Sequence, residues 1–191
     1  MASPDPLPAA ALESVARQLG EFLSLPKPAL TRALGKVSQP EVRESLAVCF
    51  VTAEQVTHPP ADLGVLARPT GIWHHQVRTA AGPTHMARSR QQGFGGSDLE
   101  VEQWVASPIA KKLDEAMAWV DRSLPNDKAI VRLLAIPAYY VHALLLIRGK
   151  KYTAVLVDQP EGFTQLHYRK QYPLRDFLKR LAKERMSGTL V

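Results

Sequence analysis

The sequence predicts an α+β protein with a helical N-terminal layer, an antiparallel sheet and a C-terminal amphipathic helix. Three observations lead there. Residues 130–158, IVRLLAIPAYYVHALLLIRGKKYTAVLVD, hold two apolar runs joined by the turn Arg148-Gly149-Lys150-Lys151, the pattern of a buried hairpin. Apolar residues recur at helical spacing over about 9–24, 108–124 and 173–186. Strand-like runs are bounded by helical ones instead of alternating with them, which favours an antiparallel sheet over a doubly wound one.

Residues 1–8 carry Pro4, Pro6 and Pro8 and read as an extended, flexible leader. The first helix, over about 9–24, places Leu12, Val15, Ala16, Leu19, Phe22 and Leu23 on one side. Pro26 and Pro28 end it and open a short second helix through Val37. Ser38-Gln39-Pro40 starts residues 41–50. Val42, Leu46, Cys49 and Phe50 give this stretch a helical face, while LAVCFV suits a strand equally well. Residues 9–57 therefore read as a helical segment and 61–191 as an α+β domain, with His58-Pro59-Pro60 as the break.

IWHHQVRTA and THMARSRQ flank Ala81-Gly82-Pro83 as a polar hairpin, expected at a sheet edge or as a protruding arm. Gln91–Ser97, QQGFGGS, follows as a loop. Ser107 and Pro108 suit the cap and first residue of a helix whose buried stripe is Ile109, Leu113, Ala116, Met117 and Val120. Pro137 fits a strand start, bend or bulge. Whether 130–136 is helix or strand stays open. Residues 163–170 are expected as a further strand, and Pro173 opens the last helix, which Ser187-Gly188 stops.

Composition bounds the function without naming it. The 191 residues are 46% hydrophobic and 22% charged, enough to bury a core without disulfides. A single cysteine, Cys49, excludes an internal disulfide and fits a core thiol in a reducing compartment, so the cytoplasm is the expected location. The start lacks a basic n-region and a continuous apolar core, so no signal peptide is read there. The fifteen uncharged residues from Leu133 to Ile147 fall short of the roughly 20 a membrane-spanning helix needs. Charge is uneven: residues 1–100 balance nine basic against nine acidic residues, whereas 101–191 hold fifteen against nine.

Four groups could carry chemistry. His74, His75 and His85 are the catalytic candidates, because imidazole titrates near neutrality. On a strand, however, His74 and His75 face opposite ways. No HxH, HExxH or CxxC spacing is present, so neither a metal nor a cofactor is expected. Trp73, Arg78, Arg88 and Arg90 form a candidate ligand- or partner-binding arm, since guanidinium beside an aromatic suits anions and stacking. The third group, Lys150, Lys151, Arg169, Lys170, Arg175, Lys179, Arg180 and Lys183, is a candidate anion-binding face interleaved with Tyr152, Tyr168 and Tyr172. Ser97-Asp98, His142 and His167 can be drawn as a hydrolase triad, but no GxSxG elbow supports it. No Walker or dinucleotide motif is present, and no family is recognised.

The expectation is a non-catalytic cytoplasmic binding or adaptor protein acting through protein partners. The alternatives are a nucleic-acid or polyanion binder using the C-terminal face, and a small enzyme at the histidine hairpin and Gly-rich loop. Homo-oligomerisation is left open.

Overall fold

A computed structural model describes residues 2–24, 41–79, 82–92, 98–125 and 128–187. Among the described residues, four α-helices and nine strands, the strands mostly antiparallel, confirm the α+β class. The chain divides into two compact units. One comprises residues 1–3, 48–70 and 115–191; the other comprises 4–47 and 71–114. The predicted second helix, over 28–37, lies outside the described residues.

The first unit is built on the apolar hairpin. Strands β6 (Ile130–Ile136), β7 (Val141–Arg148) and β8 (Lys151–Leu156) run antiparallel, with Gly149 at positive φ in the turn. Residues 130–136 are therefore strand. Pro137 sits in a 3₁₀ corner, Pro137–Tyr139, where its missing N–H costs no ladder bond. The last three residues of β2 (Glu41–Phe50) pair parallel with Leu133–Ala135, and β1 (Ser3–Pro4) also pairs β6. Ser3 N–H donates to Ala129 O, and Ala2 is buried.

One face of this sheet presents Leu134, Ile136, Val141, Ala143, Leu145, Ala154 and Leu156. Helix α4 (Leu174–Ser187) covers it with Leu174, Phe177, Leu178 and Leu181. Burying each such side chain contributes about 1.5–3 kcal/mol. Cys49 joins this core, its thiol donating to Ala67 O at 3.3 Å. The short helix α2 (Ala53–Thr57) is fixed by a capping box between Thr52 and Gln55.

Residues 163–170 are not a strand. The backbone donors of residues 164–168 are taken by side chains and that of Phe163 by Pro160 O, so they are not spent on a ladder. Glu184 accepts from the N–H groups of Thr164, Gln165 and Leu166, Tyr172 Oη from His167, and Gln159 Oε1 from Tyr168. The strand falls one step later, β9 (Gln171–Pro173), on β8.

The second unit orders its strands β5-β4-β3-β2, all antiparallel. β3 (Ile72–Thr79) and β4 (Gly82–Gln91) are the predicted polar hairpin, but the expected edge position is wrong: β3 pairs on both sides, and so does β4. The outer strand is β5 (Leu99–Ala106), which the sequence analysis did not assign. Residues 41–50 are strand as well, so the N-terminal layer is not wholly helical. The extended form lets Glu41–Ala47 satisfy their backbone on β3 while alternate side chains reach a buried face. Helix α1 (Ala9–Ser24) lays Ala11, Val15 and Leu19, four residues apart, against Val77, Ala87, Leu99, Val101 and Trp104.

Helix α1 also closes the outer edge of β5. Gln18 Nε2 donates to Leu99 O (2.6 Å), and Val101 N–H donates to Gln18 Oε1 (2.9 Å). The side-chain amide thus stands in for the peptide of a further strand, one way of blunting an edge. Gln18→Ala leaves both backbone groups without this partner and should cost about 1–3 kcal/mol in urea unfolding. Light scattering should show concentration-dependent association of the variant. Unchanged stability together with a strictly monomeric variant would remove the edge-capping role.

Candidate functional site

The three candidate histidines do not converge. His75 is wholly buried on β3, with Nδ1 2.8 Å from Ser45 Oγ of β2 and Nε2 2.6 Å from Ser89 Oγ of β4. One ring nitrogen donates and the other accepts, and two hydroxyls can satisfy either neutral tautomer. Burial lowers its pKa to about 4. His74 is buried on the opposite face of β3, with Arg88 as its neighbour on β4. His85 lies opposite Val77 and meets Trp104 edge-on at 6.4 Å between centroids. Burial lowers its pKa too. The register puts His75 and His85 on one face of the sheet and His74 on the other.

The Trp73–Arg90 arm divides in the same way. Trp73 packs against the α1 core. Arg88 and Arg90 share a face as predicted and converge on Glu102 of β5, at 3.5 and 2.5 Å. The Arg90 hydrogen bond is the main cause that holds Glu102 below the usual carboxylate range. Arg78 alone opens onto a cleft.

In the first unit, Arg169, Lys170, Arg175 and Arg180 contact groups of their own chain. Arg169 pairs with Glu115 (2.9 Å) and lies 4.6 Å from the centroid of the Tyr168 ring. Arg175 donates to Pro60 O and Ala61 O. Lys170 and Arg180 both approach the Tyr172 ring, at 5.6 and 5.5 Å. Lys151, Lys179 and Lys183 are exposed. Lys150 lines an open groove of about 530 Å³ with Arg68, Asp62 and Tyr152. His142 is half-buried on β7, its pKa lowered by burial against the opposing pull of Asp158. The Gly93–Ser97 loop, and with it Ser97 of the paper triad, lies outside the described residues.

Two arrangements emerge that the sequence did not single out. The first, in the second unit, is a cleft of about 160 Å³ lined by Arg43 of β2, Gln76, Val77 and Arg78 of β3, and Asp114 of α3 (Pro108–Ser123). Gln76 is 2% exposed; its Nε2 donates to Ala110 O at 3.0 Å. Burial raises the Asp114 pKa, and Arg43 partly offsets it. The second, in the first unit, is an exposed apolar corner. Tyr140 closes the 3₁₀ turn in left-handed backbone at φ 53° and is 86% exposed. Phe50, 40% exposed, ends β2 opposite Ala135, one position before the Ile136–Val141 pair that the corner joins. The adjacent residues Tyr139 and Tyr140 are not on a strand. They lie on the corner, where Tyr139 packs in the core and Tyr140 projects.

Among the described residues no group of three or more His, Cys, Asp or Glu is placed to hold a metal ion, and no helix is long and apolar enough to cross a membrane. No protein-family model, curated protein or solved structure matches the chain.

The His75 site makes a pH prediction. Its folded pKa, about 4, lies below the ordinary 6.5, so between these values the unfolded chain binds the extra proton. The stability tied to a neutral His75 is present above pH 6.5 and is lost as pH falls to about 4. That loss amounts to about 3 kcal/mol. Urea titrations at descending pH should show the gap between wild type and His75→Gln narrowing over this window. A gap that stays constant would show that His75 is not held neutral by the fold.

Proposed function

We propose that this protein is a non-catalytic binding or adaptor protein that acts through protein–protein contacts in the cytoplasm. The observation that carries the reading is the Phe50–Tyr140 corner. Exposed apolar side chains scattered singly need no explanation. Here, however, an aromatic ring is held almost fully in solvent by a backbone conformation that disfavours it, with Phe50, Pro137 and Ala138 also exposed nearby in register. A non-glycine residue in left-handed backbone costs of order 1 kcal/mol, and such strain persists where the surroundings impose it. Tyrosine is also the kind of rigid, amphipathic anchor that dominates protein interfaces.

Two further features support the same reading. The candidate catalytic histidines are sealed among strand side chains without access to a substrate, and burial holds the His75 pKa near 4, a proton affinity unsuited to acid–base work at neutral pH. Arg169, Lys170, Arg175 and Arg180 are engaged by Glu115, by backbone carbonyls and by the Tyr172 ring, which moderates what this face offers a polyanion. The buried thiol of Cys49 suits a reducing compartment.

The test separates contact from folding. Tyr140→Gly removes the ring and suits the backbone, so its stability should stay equal or rise by up to about 1 kcal/mol. A photo-crosslinking phenylalanine analogue at position 140 should give a discrete adduct in lysate of the native host. That adduct should disappear with Phe50→Ser and should be absent when the probe stands at the exposed Lys151. No adduct at 140, or the same adducts from both positions, would end the adaptor reading.

A further inference from the structure

The cleft of the second unit goes beyond that reading. The geometry points to a binding site for a small free α-amino acid in the Arg43–Gln76–Arg78–Asp114 cleft. The argument begins with Gln76. Its side chain is almost wholly buried, and its Nε2 donates to Ala110 O, an acceptor that fixes which end of the amide is which. The Oε1 is therefore the remaining end, and it is buried with no hydrogen-bond partner. A buried acceptor without a donor is costly, and at a cleft wall a ligand donor removes that cost.

The other groups specify the rest of the ligand. Asp114 stands one helical turn beyond Ala110 on α3, so its carboxylate shares the side of the helix that Gln76 reaches. Burial disfavours its charged form, a penalty that a bound cation relieves. Gln76 Oε1 and Asp114 are thus acceptors suited to an ammonium group. Arg78 shares the β3 face of Gln76, two residues on, and Arg43 joins it from β2; both guanidinium groups suit a carboxylate. Arg43 is also drawn by Glu41, at 3.7 Å in an ion pair exposed on both sides, and by Asp114, so a ligand carboxylate shares it with them.

Ammonium and carboxylate must then belong to one small molecule. A peptide N-terminus brings only the first, and a peptide C-terminus only the second. The volume agrees, because about 160 Å³ is the space of about five water molecules at roughly 30 Å³ each. That is well below the range for drug-sized ligands. A space of this size leaves room for only a short side chain on such a ligand.

Calorimetry with the full chain and L-alanine tests the inference. L-alanine should bind, and its N-acetyl and methyl-ester derivatives should bind roughly tenfold or more weakly, because each loses one charged contact. Arg78→Ala and Gln76→Leu should each weaken L-alanine by a similar factor. Arg78 is exposed, so its variant remains informative even if Gln76→Leu fails to fold. Any one of four results overturns the site: no heat with L-alanine up to about 10 mM; equal binding of acetate, which marks a simple anion site; equal binding of methylammonium, which marks a simple cation site; or unchanged affinity in the Arg78 variant. The Tyr140 variants should bind L-alanine normally, so this site and the adaptor reading fail independently.

Discussion

The Ser45–His75–Ser89 chain lets a polar sequence fill the inside of a sheet. β3 and β4 carry His74, His75, Gln76, His85 and Ser89 into buried positions, where an unpaired polar atom costs more than its hydrogen bond would contribute. In the second unit the pairing of buried donors and acceptors therefore acts alongside the apolar packing of α1. His75 uses both ring nitrogens, and Gln76 uses its amide nitrogen on a helix carbonyl. The first unit applies the same rule to a buried carboxylate, where Glu184 gathers three successive backbone N–H groups and fastens residues 164–166 to α4.

This constraint explains which parts of the fold were legible. Helices α1 and α3 and the β7–β8 hairpin announce themselves because apolar periodicity and turn residues agree. β5 was missed although Leu99-Glu100-Val101-Glu102 alternates cleanly. The alternation is short, and a shift in register at Arg88/Ser89 breaks it before Trp104. Residues 163–170 misled for the opposite reason. Phe163, Leu166 and Tyr168 suggest a strand, yet the partners of this backbone are Glu184, Tyr172 and Gln159, distant side chains that no local pattern announces.

The polar hairpin shows how a correct element can be misplaced. Its charged and hydroxylic residues suggested an edge guarded against aggregation, a sound inference where polar strands face water. The structure instead places the edge at β5 and guards it with one glutamine from α1. Arg88 and Arg90 look like a reading arm in sequence because Glu102, which neutralises them, is twelve to fourteen residues away on a strand that was not assigned. Charge in a sequence is therefore a poor guide to free charge on a surface until the neighbouring strand is known.

The cleft marks the limit of linear reading for a physical reason. Its acceptors come from β3 and α3 and its donors from β2 and β3, segments separated by tens of residues and brought together only by strand order. Of its members only Arg78 was singled out, since a guanidinium near a tryptophan carries a recognisable chemistry. Gln76 has no such signature. Its importance arises because one end of its amide is used by Ala110 and the other is left over, and that imbalance exists only once α3 lies across β3. Tyr140 is the converse case. Its exposure follows from Pro137, which forces a corner between two apolar strands and leaves the residue after Tyr139 in left-handed backbone with its ring in water. In both places the informative quantity is a mismatch between a side chain and its surroundings, and that quantity is defined only by the folded chain.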